Sequence, residues 1–299
     1  MEPTRFDLTA RRVARQDAAA FFGWLLTGFD QHLRFVSWLD PRSSPEQSVA
    51  EVTGDTVARL ESVTAVSAPW MFPVEFQTSP DPGMFGRLQR QIGQWWEDLR
   101  PDDLPDSRYQ VACAVVNLTG TKKSAPASRT YRFPLHQLTW GGKVRERFLA
   151  DESADKTLGQ VEREELRRGI LPLIVLMHGA DKPAIISRWI AQANRETDSR
   201  RRADLGSMTL TLAAIVPWFG LWKDALKEWN MVESQFVLDL QAEATLKANR
   251  DNLKEVLSER FGELPADVVQ RIDALTDANQ VRQLHRAAVR VKRLDEFPV

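Results

Sequence analysis

Three polar side chains suited to holding a hard cation lie close together in the sequence: Glu61, Glu75 and Gln77. Two carboxylates directed at one point repel each other, so such a pair is usually kept ionised by a bound cation. Mg²⁺ prefers one or two carboxylates together with water and a substrate phosphate, and Mn²⁺ suits similar oxygen ligands. Such an ion polarises a phosphoryl oxygen and generates the attacking hydroxide. The residue types therefore indicate metal-dependent hydrolysis of a phosphate ester.

The short motif Glu75-Phe76-Gln77 offers three different groups. Glu75 supplies a charged ligand, and the backbone carbonyl of Phe76 is a candidate third protein ligand. Gln77 cannot act as a general base because its amide does not titrate. It can orient a water molecule or a phosphate oxygen, so the metal would have to activate the nucleophile. Taken alone, a Glu-x-Gln sequence at a strand end is a weak signal, since exposed acids are common there.

Two short apolar segments must position these residues, and their composition predicts a β-hairpin. Segment 62–66 is small and β-branched, segment 71–76 is apolar, and Ala68-Pro69-Trp70 between them is typical of a turn. Side chains alternate faces along a strand, so Glu75 and Gln77 point the same way while the residue between them points into a core. Glu61 would lie at the start of the neighbouring strand, which is expected to bring both acids to one site.

The 299-residue chain is 43% hydrophobic, enough to bury a substantial core. Its 40 Lys and Arg residues balance 41 Asp and Glu residues, which argues against histone-like binding and leaves a local polyanion groove open. The one cysteine, Cys113, excludes an intrachain disulfide and indicates a reducing compartment. The N-terminus lacks the apolar core of a secretory signal, and the longest apolar run, 210–222, is too short to span a bilayer. We expect a soluble cytoplasmic protein with no membrane partner.

The order of predicted elements in the first half of the chain indicates an α/β layer with a mixed sheet. Helical spacing of apolar residues covers 17–39, where Asp17 is placed as an N-cap. The hairpin follows, then an amphipathic helix over 84–99, and then strands over 109–118 and 130–138.

Strand signals end near residue 150, and the remaining sequence predicts helix after helix. One helix is expected over 230–261, with Gly262 in a left-handed position at its end and Pro265 opening the next helix. Shorter helices over 266–275 and 278–291 close the chain. The predicted organisation is a core over 1–150, a helical region packed on it over 151–229, and a long helix with a helical module over 230–299.

Other charged or metal-binding residue types give weaker signals. The four histidines are scattered without zinc-ligand spacing. The acids Glu46, Glu51 and Asp55 lie in a segment rich in Pro, Ser and Gly, and we interpret them as solvated loop charges. The basic clusters at 200–202 and 286–293 are interpreted in the same way, as solvated faces.

Several stretches resemble the PD-(D/E)XK nuclease superfamily, in the branch of Rpn-type recombination-promoting nucleases and transposase-like proteins. The hairpin carries RLESVT (59–64) and VEFQTSPDP (74–82), and an Arg-bearing helix follows directly. Downstream, LPLIVLMHGADKP (171–183), MVESQ (231–235) and ERFGELPADVVQRIDAL (259–275) resemble the helical region and C-terminal module of these proteins. The resemblance covers most of the chain, although only the hairpin carries catalytic information.

The resemblance implies an α/β fold with a restriction-endonuclease-like core, in which helices flank a mixed central sheet, followed by an all-helical C-terminal region. It also implies that Glu75 is the acidic metal ligand and that Gln77 occupies the position of the motif's lysine. Glu61 would stand where the family usually has Asp, and its extra methylene would move the carboxylate and reshape the metal site. Arg87, on the following helix, is implied as a phosphate contact, with an ordinary exposed helix arginine as the alternative.

The expected function is a Mg²⁺- or Mn²⁺-dependent endonuclease that binds and cuts DNA, of the recombination-promoting, transposase-like type. The alternative is a catalytically degenerate nuclease fold that acts as a binding scaffold, with a homo-oligomer formed through the C-terminal helices. Glu61 in place of Asp and the balanced overall charge favour this alternative. A third hypothesis makes the helical half a protein-interaction module.

Overall fold

In a computed structural model of the chain, the described residues are 4–28, 32–39, 56–64, 68–81, 83–101, 108–124, 130–133, 138–141 and 144–298. The chain divides into two compact units, Met1–Glu233 and Ser234–Val299. The predicted core over 1–150 and the predicted helical region over 151–229 therefore both lie in the first unit. None of the helices in the described ranges is long and apolar enough to cross a membrane.

The strands of the described ranges all lie in the first unit. They are β1 (Leu33–Leu39), β2 (Val57–Ser62), β3 (Trp70–Gln77), β4 (Gln110–Val111), β5 (Ala114–Asn117), β6 (Thr130–Phe133), β7 (Leu138–Gly141) and β8 (Arg145–Phe148). Six of them form one sheet in the order β1-β2-β3-β5-β8, with β4 also paired to β3, while β6 and β7 pair separately. β1, β2 and β3 run antiparallel, and β3, β5 and β8 run parallel. The predicted α/β class with a mixed sheet is confirmed.

Helices precede the sheet, connect its strands and fill the rest of the described chain. They are α1 (Arg5–Gln16), α2 (Ala18–Leu25), α3 (Met84–Asp98), α4 (Ala154–Glu162), α5 (Leu171–Ile174), α6 (Pro183–Asn194), α7 (Ser199–Ala213), α8 (Phe219–Ala225), α9 (Gln235–Phe261), α10 (Ala266–Asp273) and α11 (Ala278–Arg290). Beyond residue 150 the described chain has helices and no strand, as predicted. The amphipathic helix predicted over 84–99 is confirmed as α3.

The two faces of β3 are covered by different helices, which sets the direction of every side chain on this strand. Phe76 packs against Phe21 of α2, with ring centroids 5.6 Å apart. Met71, on the opposite face, shares a buried cluster with Trp95 of α3. Because side chains alternate along a strand, all odd-numbered residues of β3 lie on the α3 face.

The helix predicted over 17–39 is correct only in its first part. Asp17 caps α2 as expected, and its carboxylate accepts a hydrogen bond from the Ala20 amide at 3.0 Å. Residues Leu33–Leu39, however, form β1, which pairs with β2. The aromatic rings that gave the helical spacing pack on α2 from the sheet instead, with Phe35 stacked on Phe22 at 5.5 Å. Tertiary pairing overrides the local periodicity in this segment.

The hairpin is confirmed as an antiparallel pair, but its strand limits differ from the prediction. Its first strand is Val57–Ser62 rather than 62–66, and Trp70 belongs to the second strand rather than to the turn. The strand predicted over 109–118 is interrupted at Ala112 and Cys113 into β4 and β5. The strand predicted over 130–138 is two short strands, β6 and β7, that pair with each other.

The second unit is built around the C-terminal half of α9, which packs with α10 and α11. Its buried residues include Leu253, Leu257 and Ile272. α9 starts later than predicted, at Gln235, because the Ser234 hydroxyl accepts a hydrogen bond from the Val237 amide and caps the helix. α9 ends at Gly262, whose φ of +81° favours glycine, as the sequence predicts.

Arg147 of β8 ties the sheet to α2. Its side chain is 10% exposed and its Nη1 forms an ion pair with Glu152 at 2.6 Å. Its Nη2 donates hydrogen bonds to the carbonyls of Trp24 at 2.5 Å, Leu25 at 3.3 Å and Thr27 at 3.1 Å. These carbonyls belong to the last turn of α2 and the residues just after it, where intrahelical partners run out.

We expect Arg147→Leu to lower the free energy of unfolding by about 2 kcal/mol, because it leaves the half-buried Glu152 carboxylate without its ion-pair partner and the Leu25 carbonyl without the Arg147 donor. Urea denaturation of the variant measures this loss. The matched control is Arg163→Leu, since Arg163 is 60% exposed and pairs with Glu165 on the surface. A loss no larger than that of the control would contradict this role of Arg147.

Candidate active site

β3 carries Glu75 and Gln77 in the middle of the sheet, and the parallel strand β5 supplies their neighbours. Glu75 is paired with Val115, and Gln77 is paired with Asn117. Val115 belongs to the buried cluster formed with Met84 and Leu88 of α3. The α3 face of the sheet therefore carries Glu75 and Gln77 together with their β5 partners. Strand alternation predicts that Glu75 and Gln77 point the same way, and they do.

Burial dominates the electrostatics of Glu75, whose side chain is 19% exposed. It raises the pKa of this carboxyl from 4.5 to about 7, although the charges of Arg11 and Arg87 oppose the change. Arg11 Nη2 lies 4.0 Å from Glu75 Oε2. Near neutral pH this carboxyl therefore exchanges a proton readily, and a further positive charge beside it would hold it ionised.

Gln77 and Asn117 place two amide groups next to each other on adjacent strands. They are 7% and 1% exposed. The Oε1 atom of Gln77 and the Oδ1 atom of Asn117 are both buried and accept no hydrogen bond from the described part of the chain. A buried acceptor without a donor is costly, so this pair of oxygens is suited to a water molecule or a cation.

Asn117 was missed by the sequence analysis because it lies in the apolar run that predicts a buried strand. The sequence signal that could have identified it is the single amide side chain near the end of that apolar run. Its position opposite Gln77 depends on the parallel register, which the sequence does not specify.

α1 brings Arg11 to the site because its N-terminus is fastened to the end of β3. Thr4 and Asp7 form a capping box at the start of α1. The Thr78 hydroxyl, directly after β3, donates a hydrogen bond to Asp7 Oδ1 at 3.0 Å. Arg11 follows Asp7 by about one helical turn and so lies beside Glu75. Arg11 and Asp7 were not among the predicted site residues.

The register of the hairpin separates the two predicted carboxylates. Leu60 of β2 is paired with Trp70 of β3, so Glu61 lies next to the start of β3. Glu75 lies near the other end of β3, five residues beyond Trp70, which corresponds to about 17 Å along a strand. The predicted site shared by Glu61 and Glu75 is therefore not formed. The physical reason is that β2 begins earlier than expected, so its C-terminal end, not its beginning, carries Glu61.

Two arginine side chains form ion pairs with Glu61. Its carboxylate lies 2.8 Å from Arg59 Nη2 and 3.4 Å from Arg34 Nη2. Both arginines lie on β1 and β2 of the hairpin region, away from the amide pair. Glu61 thus acts as an ion-pair partner within the sheet.

On the β2 side of β3, the residue nearest to Glu75 in the described chain is Thr56, directly before β2. The Val74 amide donates a hydrogen bond to the Thr56 carbonyl at 2.8 Å, so Thr56 lies beside the residue that precedes Glu75. Asp55 is the residue before Thr56 in the sequence. Asp55, Glu46 and Glu51, which the sequence analysis interprets as loop charges, lie outside the described residues.

The carbonyl of Phe76 is directed away from β5. The Leu118 amide donates to the Gln77 carbonyl at 2.8 Å, and successive carbonyls along a strand point to opposite sides. The Phe76 carbonyl therefore points to the β2 side of β3, where Thr56 lies. It remains a candidate ligand beside Glu75.

Arg87 of α3 is close enough to Glu75 for its charge to lower the pKa of that carboxyl. Its Nη2 lies 2.6 Å from Asp81 Oδ2, and its side chain is 42% exposed. The remaining donors of the guanidinium are accessible to a phosphate oxygen. The structure thus places Arg87 at the site, in an ion pair with Asp81 that the sequence analysis did not predict.

The oxygen atoms assembled here suit a hard cation better than a soft one. No group of three or more His, Cys, Asp or Glu side chains able to hold a metal ion occurs within the described ranges. The available ligands are instead one carboxylate, two amide oxygens and a backbone carbonyl, from Glu75, Gln77, Asn117 and Phe76. This set is of the kind that Mg²⁺ and Mn²⁺ accept when water and phosphate complete the coordination.

Comparisons with known proteins do not assign the chain to a family. No protein-family model, curated protein or solved structure matches it. The resemblance of the hairpin to PD-(D/E)XK nucleases therefore stays a hypothesis.

Proposed function

We propose that the chain is a metal-dependent endonuclease that hydrolyses DNA phosphodiesters with Mg²⁺ or Mn²⁺. The observation that carries this proposal is the half-buried Glu75, with a pKa of about 7, beside the amide oxygen of Gln77, which accepts no hydrogen bond from the described residues. A cation at this point would keep Glu75 ionised and would satisfy the amide oxygens of Gln77 and Asn117.

Each residue of the site would have a separate role in the proposed hydrolysis. When bound, the cation supplies Lewis-acid activation of the phosphoryl oxygen and a water of lowered pKa. Glu75 and the Phe76 carbonyl would hold it, and the amides of Gln77 and Asn117 would orient water or phosphate oxygens without exchanging protons. Arg87 attracts the phosphate from α3, and Arg11 offsets the charge of the Asp7 and Glu75 pair.

The fold that we propose is a restriction-endonuclease-like core within the first unit. Its support is the order of elements: a helical start, three antiparallel strands, α3, and a parallel strand beside β3. This order places Glu75 and Gln77 on a central strand with a helix covering them. A DNA partner and a role in recombination belong to the same proposal, as does a homo-oligomer formed through α9, α10 and α11.

A catalytically degenerate scaffold is the second candidate function. Two observations favour it: Glu61 lies away from Glu75, and the Arg11 guanidinium lies 4.0 Å from Glu75, where it can take the place of a cation. Titration calorimetry separates the two candidates. A functional site should bind Mg²⁺ saturably in the wild type and at least about tenfold more weakly in Glu75→Gln, which removes the charged ligand. Absence of saturable Mg²⁺ and Mn²⁺ binding to the wild type would support the scaffold.

A further inference from the structure

A second concave site lies in the first unit, and none of the residues around Glu75 contributes to it. Its walls come from the junction of α1 and α2, the segment between α4 and α5, and the start of α7. Its lining residues include Asp17, Arg167, Arg168, Gly169, Glu196 and Arg201. We call this site the arginine pocket.

Within the described part of the chain, the side chains of Arg167 and Arg201 make no hydrogen bond or ion pair. The third arginine, Arg168, makes one long hydrogen bond, from its Nη1 to the Arg195 carbonyl at 3.5 Å. Exposed arginines are common, but here three of them line one concave surface.

The carboxylates of the pocket are already engaged with backbone amides. Asp17 Oδ1 accepts from the Ala20 amide at 3.0 Å, and Glu196 Oε1 accepts from the Asp198 amide at 3.1 Å. Glu164, at the edge, pairs with Arg195 at 3.0 Å. Three guanidinium groups therefore face the carboxylates of Asp17 and Glu196, while the charge of Asp198 is shared between Arg200 and Arg201, which leaves a small positive charge in the pocket.

The wall that carries Arg167 and Arg168 is held close to α2 by Gly169. A Cβ atom at Gly169 would lie 2.4 Å from the Cβ atom of Asp17, so only glycine fits there. Ile170, the next residue, is fully buried. The arginine-bearing segment is thus anchored, which limits the entropy that a ligand would have to remove.

We propose that the arginine pocket binds a single phosphate group, either free phosphate or the terminal phosphate of a larger molecule. The planar guanidinium fork matches two phosphate oxygens, and several arginines can share one phosphate. The small excess of positive charge fits one phosphate better than a nucleic-acid backbone, which requires many neutralising contacts. The first amides of α7 are occupied by the Asp198 carboxylate, so recognition rests on the arginines.

The test is calorimetric titration of the full chain with inorganic phosphate at low ionic strength. Arg167→Gln and Arg201→Gln are each expected to weaken binding about tenfold, as loss of a charge-assisted hydrogen bond does. Arg200→Gln is the matched control, because Arg200 is exposed next to Arg201 but does not line the pocket. The control should bind within about twofold of the wild type.

Two short single-stranded DNA oligonucleotides, with a 5′-phosphate and with a 5′-hydroxyl, distinguish the sources of the phosphate. Tighter binding of the phosphorylated strand that disappears in Arg201→Gln would identify a nucleic-acid end as the ligand. Equal binding of both strands, with phosphate still bound, would identify free phosphate or a small phosphorylated compound. The proposal is overturned if the wild type binds no phosphate saturably, or if Arg200→Gln weakens binding as much as Arg201→Gln.

Discussion

Glu75→Gln is expected to abolish metal-dependent DNA cleavage, with a fall in rate of about 100-fold or more. The substitution keeps the size of the side chain and removes the one carboxylate that adjoins the amide pair. A neutral amide cannot replace a charged ligand of Mg²⁺, and losses of this order follow even from changes around metal ligands. The measurement is the conversion of supercoiled plasmid to nicked and linear forms in Mg²⁺ and in Mn²⁺.

The matched control is Glu61→Gln, which makes the same chemical change at the other end of the hairpin. We expect it to leave the cleavage rate within about twofold of the wild type, because Glu61 lies at the other end of β3 and pairs with Arg59 and Arg34, away from Glu75. Asp55→Asn is a third variant, chosen because Asp55 precedes Thr56, whose carbonyl accepts from Val74. A large loss in Asp55→Asn would identify the second carboxylate of the site.

Two outcomes would count against the nuclease proposal or its geometry. If the wild type cuts no DNA substrate in either metal, the protein is the degenerate scaffold rather than an enzyme. If Glu61→Gln and Glu75→Gln lose activity equally, the catalytic carboxylates are not arranged as the β2–β3 register places them. Both outcomes are independent of phosphate binding in the arginine pocket, which shares no residue with this site.

The face that carries Glu75 and Gln77 was predictable because it depends only on the two-residue period of a strand. The position of Glu61 was not, because it depends on where β2 begins. A strand limit is set by pairing with neighbours, and a shift of a few residues moves an acid from one end of a hairpin to the other. The same dependence on pairing explains why 33–39, with aromatic residues at helical spacing, forms β1.

In the helical second half of the chain, local sequence signals predicted the helix ends more accurately than they predicted the strand limits of the first half. Gly262 ends α9, and Pro265 directly precedes α10, as predicted, because caps act on the backbone within a few residues. No local signal of this kind predicts that Arg11 and Asn117 belong to the site. Arg11 meets Glu75 only because α1 is fastened to Thr78, and Asn117 meets Gln77 only through the parallel ladder. These contacts join residues that are far apart in the sequence.

The stability of the metal-free protein is expected to fall as the pH rises through 7, because of Glu75. Its pKa is about 7 in the folded chain and 4.5 as an ordinary glutamate, so the folded state holds the extra proton between these values. Stability therefore falls with increasing pH in this window and levels off above it. The difference between the two pKa values corresponds to about 3 kcal/mol at pH 8.

Glu75→Gln removes this titration, because the amide is neutral in both states. Measured by urea unfolding in EDTA between pH 4 and 8, the variant should match the wild type near pH 4, below both pKa values. It should exceed the wild type by about 3 kcal/mol near pH 8. Mg²⁺ should recover part of the deficit of the wild type and leave the variant unchanged, since ligand binding to the folded state adds stability.

Glu61→Gln again supplies the comparison, because the other titrating groups are common to all three proteins. This variant should keep the loss of stability with rising pH that Glu75 causes in the wild type, because the surroundings of Glu75 are unchanged in it. Parallel curves for Glu75→Gln and the wild type would show that the Arg11 charge outweighs burial at Glu75. A carboxylate already ionised by Arg11 would gain little from a cation, so that result would also favour the scaffold over the nuclease.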